Sequence, residues 1–173
     1  MTNYLDFPDY EMNPLTLAIV AEQDSNGELI SKVLEEDMEY VVESTPLSII
    51  EYSCKFFGSS LKGRQEGSRD ICGISNKIPI AIDPSSGMYF FPTASPNNSK
   101  CSWIAHSHID KIKKIQKHST EFIFKNGNRI VLDVSYGSML NQVQRTAQYR
   151  YLLDNRIRIL QQQKGEMVAE SYS

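Results

Sequence analysis

Apolar residues alternate with other residues at Leu15, Leu17, Ile19 and Ala21, stop at Asp24-Ser25-Asn26-Gly27, and resume from Leu29 to Leu34. Period two on both sides of a turn signal predicts two antiparallel strands. Met38 to Val42 predicts a third short strand. At Thr45-Pro46 the period changes: Thr45 is a capping residue type, Pro46 suits the first helical position, and Leu47, Ile50, Cys54 and Phe57 recur at helical spacing until Gly58. With Glu51 and Lys55 paired at i,i+4, a short helix over 46–57 is expected.

Further on, Ile78–Ile82 and Met88–Phe91 read as strands separated by the turn signal Asp83-Pro84-Ser85-Ser86-Gly87, followed by a loop at 94–100 and a strand from Trp103 to His106. Ile109, Ile112 and Ile115 lie three apart, which suits a helix. Lys111, Lys113, Lys114 and Lys117 beside β-branched residues suit an edge strand that repels other edges, and the strand reading is preferred. In TEFIFKNGNRIVLDV, a three-residue loop Lys125-Asn126-Gly127 sets Phe122 opposite Ile130 and gathers Phe122, Phe124, Ile130, Leu132 and Val134 on one face. A two-residue loop would set Phe124 against Arg129, so the longer loop is expected.

From Ser138, the expected cap, to about Leu160 the spacing predicts the longest helix. Leu140, Val143, Ala147 and Tyr151 form its apolar stripe, and Asn141, Arg145, Gln148, Tyr149 and Arg156 gather opposite with no acid among them. These elements make an α+β chain: an antiparallel, β-rich single domain over 1–160 with a short central helix and a long C-terminal one. Residues 161–173 lack a core pattern and are expected to form a flexible tail.

Charge changes this picture. Residues 1–50 hold eleven acids and one base, residues 51–173 ten acids and seventeen bases, so the formal net of −3 divides into −10 and +7. Such asymmetry points to a polyanion partner for the basic part, or to an acidic lobe docked on it. The basic bias is densest in CKFFGSSLKGRQEGSR, residues 54–69, where Lys55, Lys62, Arg64 and Arg69 surround Ser59, Ser60 and three glycines. Read as a loop after the first helix, this segment brings bare backbone, hydroxyls and cations to a phosphate; an ordinary solvated loop is the alternative.

No apolar run approaches a membrane span, and the N-terminal MTNYLDFPDYEMN has acids where a secretory signal has lysines, so a soluble, cytoplasmic protein is expected. Cys54, Cys72 and Cys101 are too few and too scattered for a disulfide framework. A metal site would need Cys101, His106 and His108 with distant Cys72, a spacing unlike that of common zinc sites. No nucleophile elbow, P-loop or dinucleotide fingerprint is present, and neither a catalytic residue nor a cofactor is read.

The runs CKFFGSSLKGR, IPIAIDP, FPT, CSWIAH, FKNGNRIVLDVSY and NQVQRTA resemble, in order and spacing, the bacterial competence transcription factor ComK family, over roughly Leu15 to Ile157. The resemblance implies an activator of DNA-uptake and recombination genes that binds paired A/T-rich boxes from the minor groove, bends the DNA and assembles as dimers and tetramers. It also implies RNA polymerase and a proteolytic adaptor as partners, roles that longer C-terminal tails serve in some members. The residues expected at DNA are Lys55, Ser59, Ser60, Lys62, Arg64, Arg69, Lys111, Lys113, Lys114, Lys117, Asn141, Arg145, Gln148 and Tyr149. Two rivals stay open: a protein-interaction regulator using the acidic lobe and the basic face, and a metal-dependent enzyme at Cys101, His106 and His108. The stretch from Trp103 to Val134 is also faintly similar to a LytTR-type β DNA-binding module.

Overall fold

A computed structural model describes residues 4–5 and 10–172. Most of the N-terminal segment read for its lack of a signal lies outside them. Among the described residues ten strands form two sheets: β1 (Tyr4–Leu5), β2 (Thr16–Gln23), β3 (Leu29–Glu35), β4 (Glu39–Val42), β5 (Ile80–Asp83), β6 (Met88–Pro92) and β7 (Trp103–Ala105) in the larger, β8 (Ile109–Gln116), β9 (Ser119–Phe124) and β10 (Arg129–Leu132) in the smaller. The large sheet runs β1-β4-β3-β2-β7-β6-β5, antiparallel except for β1 beside β4. The three helices are α1 (Pro46–Phe56), α2 (Leu61–Cys72) and α3 (Tyr136–Ser171).

Period two along the central strands explains the layering. Ile19, Trp103, Phe90, Ile80 and Ile82 point to one face and pack with Ile49, Ile50 and Cys54 of α1. Val20, Ile104 and Phe91 point to the other face, where Phe122, Phe124 and Met139 bring in the small sheet and α3. Leu17 and Ala18 both belong to this second core because the β2–β3 register shifts between Thr16 and Ala18, which turns consecutive side chains the same way. A sheet covered on both faces reads as continuous apolar runs, as MYFFP does in β6, buried at every position.

The α+β architecture, α1 with its Thr45 cap, and the pairing of Phe122 with Ile130 are as expected. The described strands of residues 1–50 are four of the seven in the large sheet, continuous with β7, β6 and β5. Three features differ from the sequence reading. Residues 61–72 are helical, because Ser60 Oγ accepts the Gly63 N–H and Leu61, Arg64, Gln65, Ser68, Ile71 and Cys72 form the inward stripe. Polar residues fill half of that stripe, which removes the hydropathy contrast that marks a period of 3.6. The helix stops at Gly73, whose φ of 68° suits a residue without Cβ.

In α3 the cap is Ser135, not Ser138, and the helix runs on to Ser171 rather than ending near Leu160. Its buried face is Met139, Gln142, Thr146 and Tyr149, whereas Leu140, Ala147 and Tyr151 of the expected stripe are exposed. Hydrogen bonds make this possible: the Gln142 amide donates to the carbonyls of Lys77 at 2.9 Å and Pro92 at 2.7 Å, and the Thr146 hydroxyl donates to the Gln142 carbonyl at 2.7 Å. A satisfied buried amide is no worse placed than an aliphatic chain, so hydropathy alone pointed to the wrong face.

Candidate nucleic-acid interface

The segment expected to be a phosphate loop is a tight turn followed by a capped helix. Ser59 N–H donates to the Cys54 carbonyl at 2.9 Å, and the Ser60 hydroxyl is used as the α2 cap, so these groups are committed within the fold. Lys62 and Arg69, seven residues apart, lie on one exposed face of α2, and Lys55 is exposed at the end of α1. Arg64 turns the other way. It is half-buried, its Nε has no hydrogen-bond partner, and it lies close enough to act on Cys54, Asp83 and Tyr149. Burial raises the Asp83 carboxyl, but the hydroxyls of Ser86 and Ser85 and then Arg64 outweigh it and hold the group below its usual range.

Strand β8 supplies a second cationic region, and its pairing with β9 sorts the lysines. Lys111 stands opposite Ile123 and Lys113 opposite Glu121, on the face away from Phe122; Lys114 stands opposite Thr120, on the other face. All three, with Lys117 in the following turn, are exposed. Arg129, which the sequence reading passed over, stands opposite Ile123 from β10 and so shares the outer face with Lys111. The hairpin register already implied it; the β8–β9 register was the missing piece.

Helix α3 joins the two regions, packing through Met139 and Val143 beside the small sheet and through Tyr149 and Leu153 beside Ile71 and Cys72 of α2. Asn141 and Gln148 are exposed as expected, and Gln144 joins them on the same ridge. Arg145 is half-buried, donating to the Gln142 side-chain carbonyl at 2.8 Å and the Asn76 carbonyl at 2.6 Å, and burial lowers its pKa. Tyr149 is not on the surface. It is 3% exposed, its ring lies edge-on to Tyr89 at 5.6 Å, and burial pushes its phenol up to about 12.

Among the described residues there are four ion pairs, and they decide how the two charged halves relate. Lys32–Glu39 lies within the acidic strands, Arg129–Glu121 and Arg150–Asp154 within the basic part, and only the His108 ring reaches across, to Glu36 at 3.5 Å. The acidic strands therefore do not neutralise the lysines of α2 and β8.

His106, expected at the end of a strand, and His108 lie in a 3₁₀ turn and meet different partners. His108 Nε2 is 2.6 Å from the Pro14 carbonyl, while His106 faces α3, where Arg150 acts on it. Cys101 is buried, with its thiol toward the Ala94 carbonyl at 3.4 Å. Among the described residues no cluster of three or more His, Cys, Asp or Glu is placed to hold a metal, and no helix is long and apolar enough to cross a membrane.

Similarity to known proteins bears on the same surfaces. The chain is 40% identical over 159 residues to the competence transcription factor of Bacillus subtilis (strain 168), covering 91% of this chain and 82% of that one. No solved structure matches it. Residues 7–158, which take in all three basic regions, match the family described as ComK protein. The chain belongs to the ComK family.

Proposed function

We propose that this protein is a sequence-specific, DNA-binding activator of competence genes that reads paired A/T-rich boxes mainly from the minor groove. The observation that carries the reading is the unneutralised charge: among the described residues Lys62 and Arg69 of α2 and Lys111, Lys113, Lys114 and Lys117 of β8 and its turn are exposed and in no ion pair. Cations held unpaired in one fold repel each other and are compensated by an external polyanion. Phosphate contacts from these lysines set affinity and register, while arginine in a narrowed groove selects A/T-rich sequence. Arg69 is exposed and in no ion pair among the described residues, and Arg129 is exposed beside Glu121 at 3.5 Å; Arg64 and Arg145 are half-buried, Arg145 donating to the Asn76 carbonyl at 2.6 Å.

Assembly as a dimer or tetramer would place two such surfaces on paired boxes, with the protein acting in the cytoplasm on nucleoid DNA. No catalytic role is assigned. Glu22, Glu28, Asp37 and Glu43, exposed and in no ion pair among the described residues, favour one additional role, contact with a partner protein such as RNA polymerase or a proteolytic adaptor.

A salt titration of binding to A/T-rich duplex tests the reading. Each neutralised phosphate contributes a log–log slope of about 0.9. Replacing Lys113 and Lys114 by Ala should lower the slope and weaken binding on every sequence alike. An unchanged slope and affinity would place the DNA elsewhere, and no duplex binding at low salt would overturn the reading.

A further inference from the structure

Between β8 and the first half of α3 lies a cavity of about 400 Å³ whose polar lining includes His106, Lys111, Lys125 and Arg150, with Asp110 as its one carboxylate and the Tyr136 ring beside aliphatic side chains of both elements. Among the described residues Lys111 and Lys125 are in no ion pair. Arg150 has its nearest carboxylate, Asp154, at 3.7 Å, and Asp154 also accepts the Tyr89 hydroxyl at 2.8 Å. The buried Nδ1 of His106 has no hydrogen-bond partner. Among the described residues no group satisfies that atom, and a buried polar nitrogen left so calls for a partner from outside the fold.

From this arrangement we infer that the cavity binds a phosphate group, with Lys125 and Arg150 supplying charge and His106 becoming a donor when the anion arrives. The lining has three cations to one acid, plus an imidazole that a dianion would protonate. The volume exceeds that of a bare phosphate and leaves room, against the Tyr136 ring and the aliphatic wall, for the sugar and base of a nucleotide. The phosphate comes either from a DNA backbone, in which case the inference rests on the DNA-binding reading, or from a free nucleotide, in which case it is independent of it.

The groups that face His106 set the direction of the coupling. Arg150, Asp154 and Arg158 approach from α3, Lys125 from the end of β9, Asp110 and Lys111 from β8, and Tyr89 of β6 reaches it through Asp154. Burial first, then Arg150 and Lys125, lower His106 to about 4 in the free protein, and only the Val143 carbonyl favours its charged form. An anion seated among these cations reverses the balance, so phosphate and a proton enter together.

The test is an NMR titration of the His106 ring from pH 4 to 8, its signal assigned with His106→Gln, in the free protein, with AMP, and with A/T-rich duplex. The midpoint should rise by about one pH unit or more with at least one probe. Lys125→Gln, an exposed change that leaves the fold intact, should weaken that probe at least tenfold. A shift with AMP alone assigns a free nucleotide, and a shift with duplex alone assigns the DNA backbone. An unmoved midpoint while the duplex still binds by mobility shift overturns the phosphate site and leaves the DNA reading standing. A shift with AMP in a protein that binds no duplex does the reverse, and a midpoint unmoved by both overturns the site.

Discussion

Phe122 stands directly opposite Ile130 across the β9–β10 pair, with the Phe124 N–H donating to the Asn128 carbonyl at 2.9 Å to close a loop of three residues. Gly127, at φ 90°, takes the last position of that loop. The register decides which side of the small sheet is core. It sends Phe122 and Phe124 onto the large sheet and leaves Arg129 and Lys111 on the outer face.

Phe122 is fully buried, so Phe122→Ala should cost about 3–5 kcal/mol of stability, read as a lowered denaturant midpoint at unchanged slope. A loss below about 1 kcal/mol would mean that the two layers are not joined through this ring.

This pairing was legible in the sequence because only one loop length keeps all the apolar residues on one face. The second helix was not. Its inward positions carry Arg64, Gln65 and Ser68, so the period of 3.6 lacked the hydropathy contrast that reveals it, and its glycines read as loop. The same failure set α3 on the wrong face: Gln142 and Thr146 are buried because carbonyls of the 77 and 92 segments meet the Gln142 amide, long-range partners that no local pattern announces. Of the expected site residues, the exposed lysines were read from charge alone, while Arg64, Arg145 and Tyr149 were assigned outward by a helical face or loop that the fold turns inward.

Ser60 tests the corrected view of residues 54–69. As the cap of α2, with its Oγ 3.0 Å from the Gly63 nitrogen, it should be worth about 0.5–2 kcal/mol, and Ser60→Ala should also speed hydrogen exchange at the Gly63 amide. Were the segment a loop whose hydroxyl only meets DNA, the substitution would weaken binding and leave stability and exchange unchanged.

His106 makes stability pH-dependent in a defined direction. Its pKa falls from 6.5 to about 4 on folding because burial, and then Arg150 and Lys125, disfavour the imidazolium. Between those values the unfolded chain binds a proton that the folded chain does not, so stability falls as pH drops through that window. Wild-type protein should lose more stability than His106→Gln between pH 7 and 4, by an amount that solvent screening of the partly exposed ring holds below the roughly 3 kcal/mol of the full shift. Parallel stability curves for the two proteins would show that folding leaves the His106 pKa unchanged.

Groove choice is tested by one binding series on a paired-box duplex, with A·T pairs replaced throughout the boxes by I·C or by G·C. Inosine lacks the 2-amino group, so an I·C pair keeps a minor-groove edge close to that of A·T while its major-groove edge changes and the thymine methyl is lost. A protein that reads the minor groove through exposed arginine should keep most of its affinity for the I·C duplex and lose it for G·C. Equal loss on both would place the amide ridge of Asn141, Gln144 and Gln148 in the major groove and contradict the account.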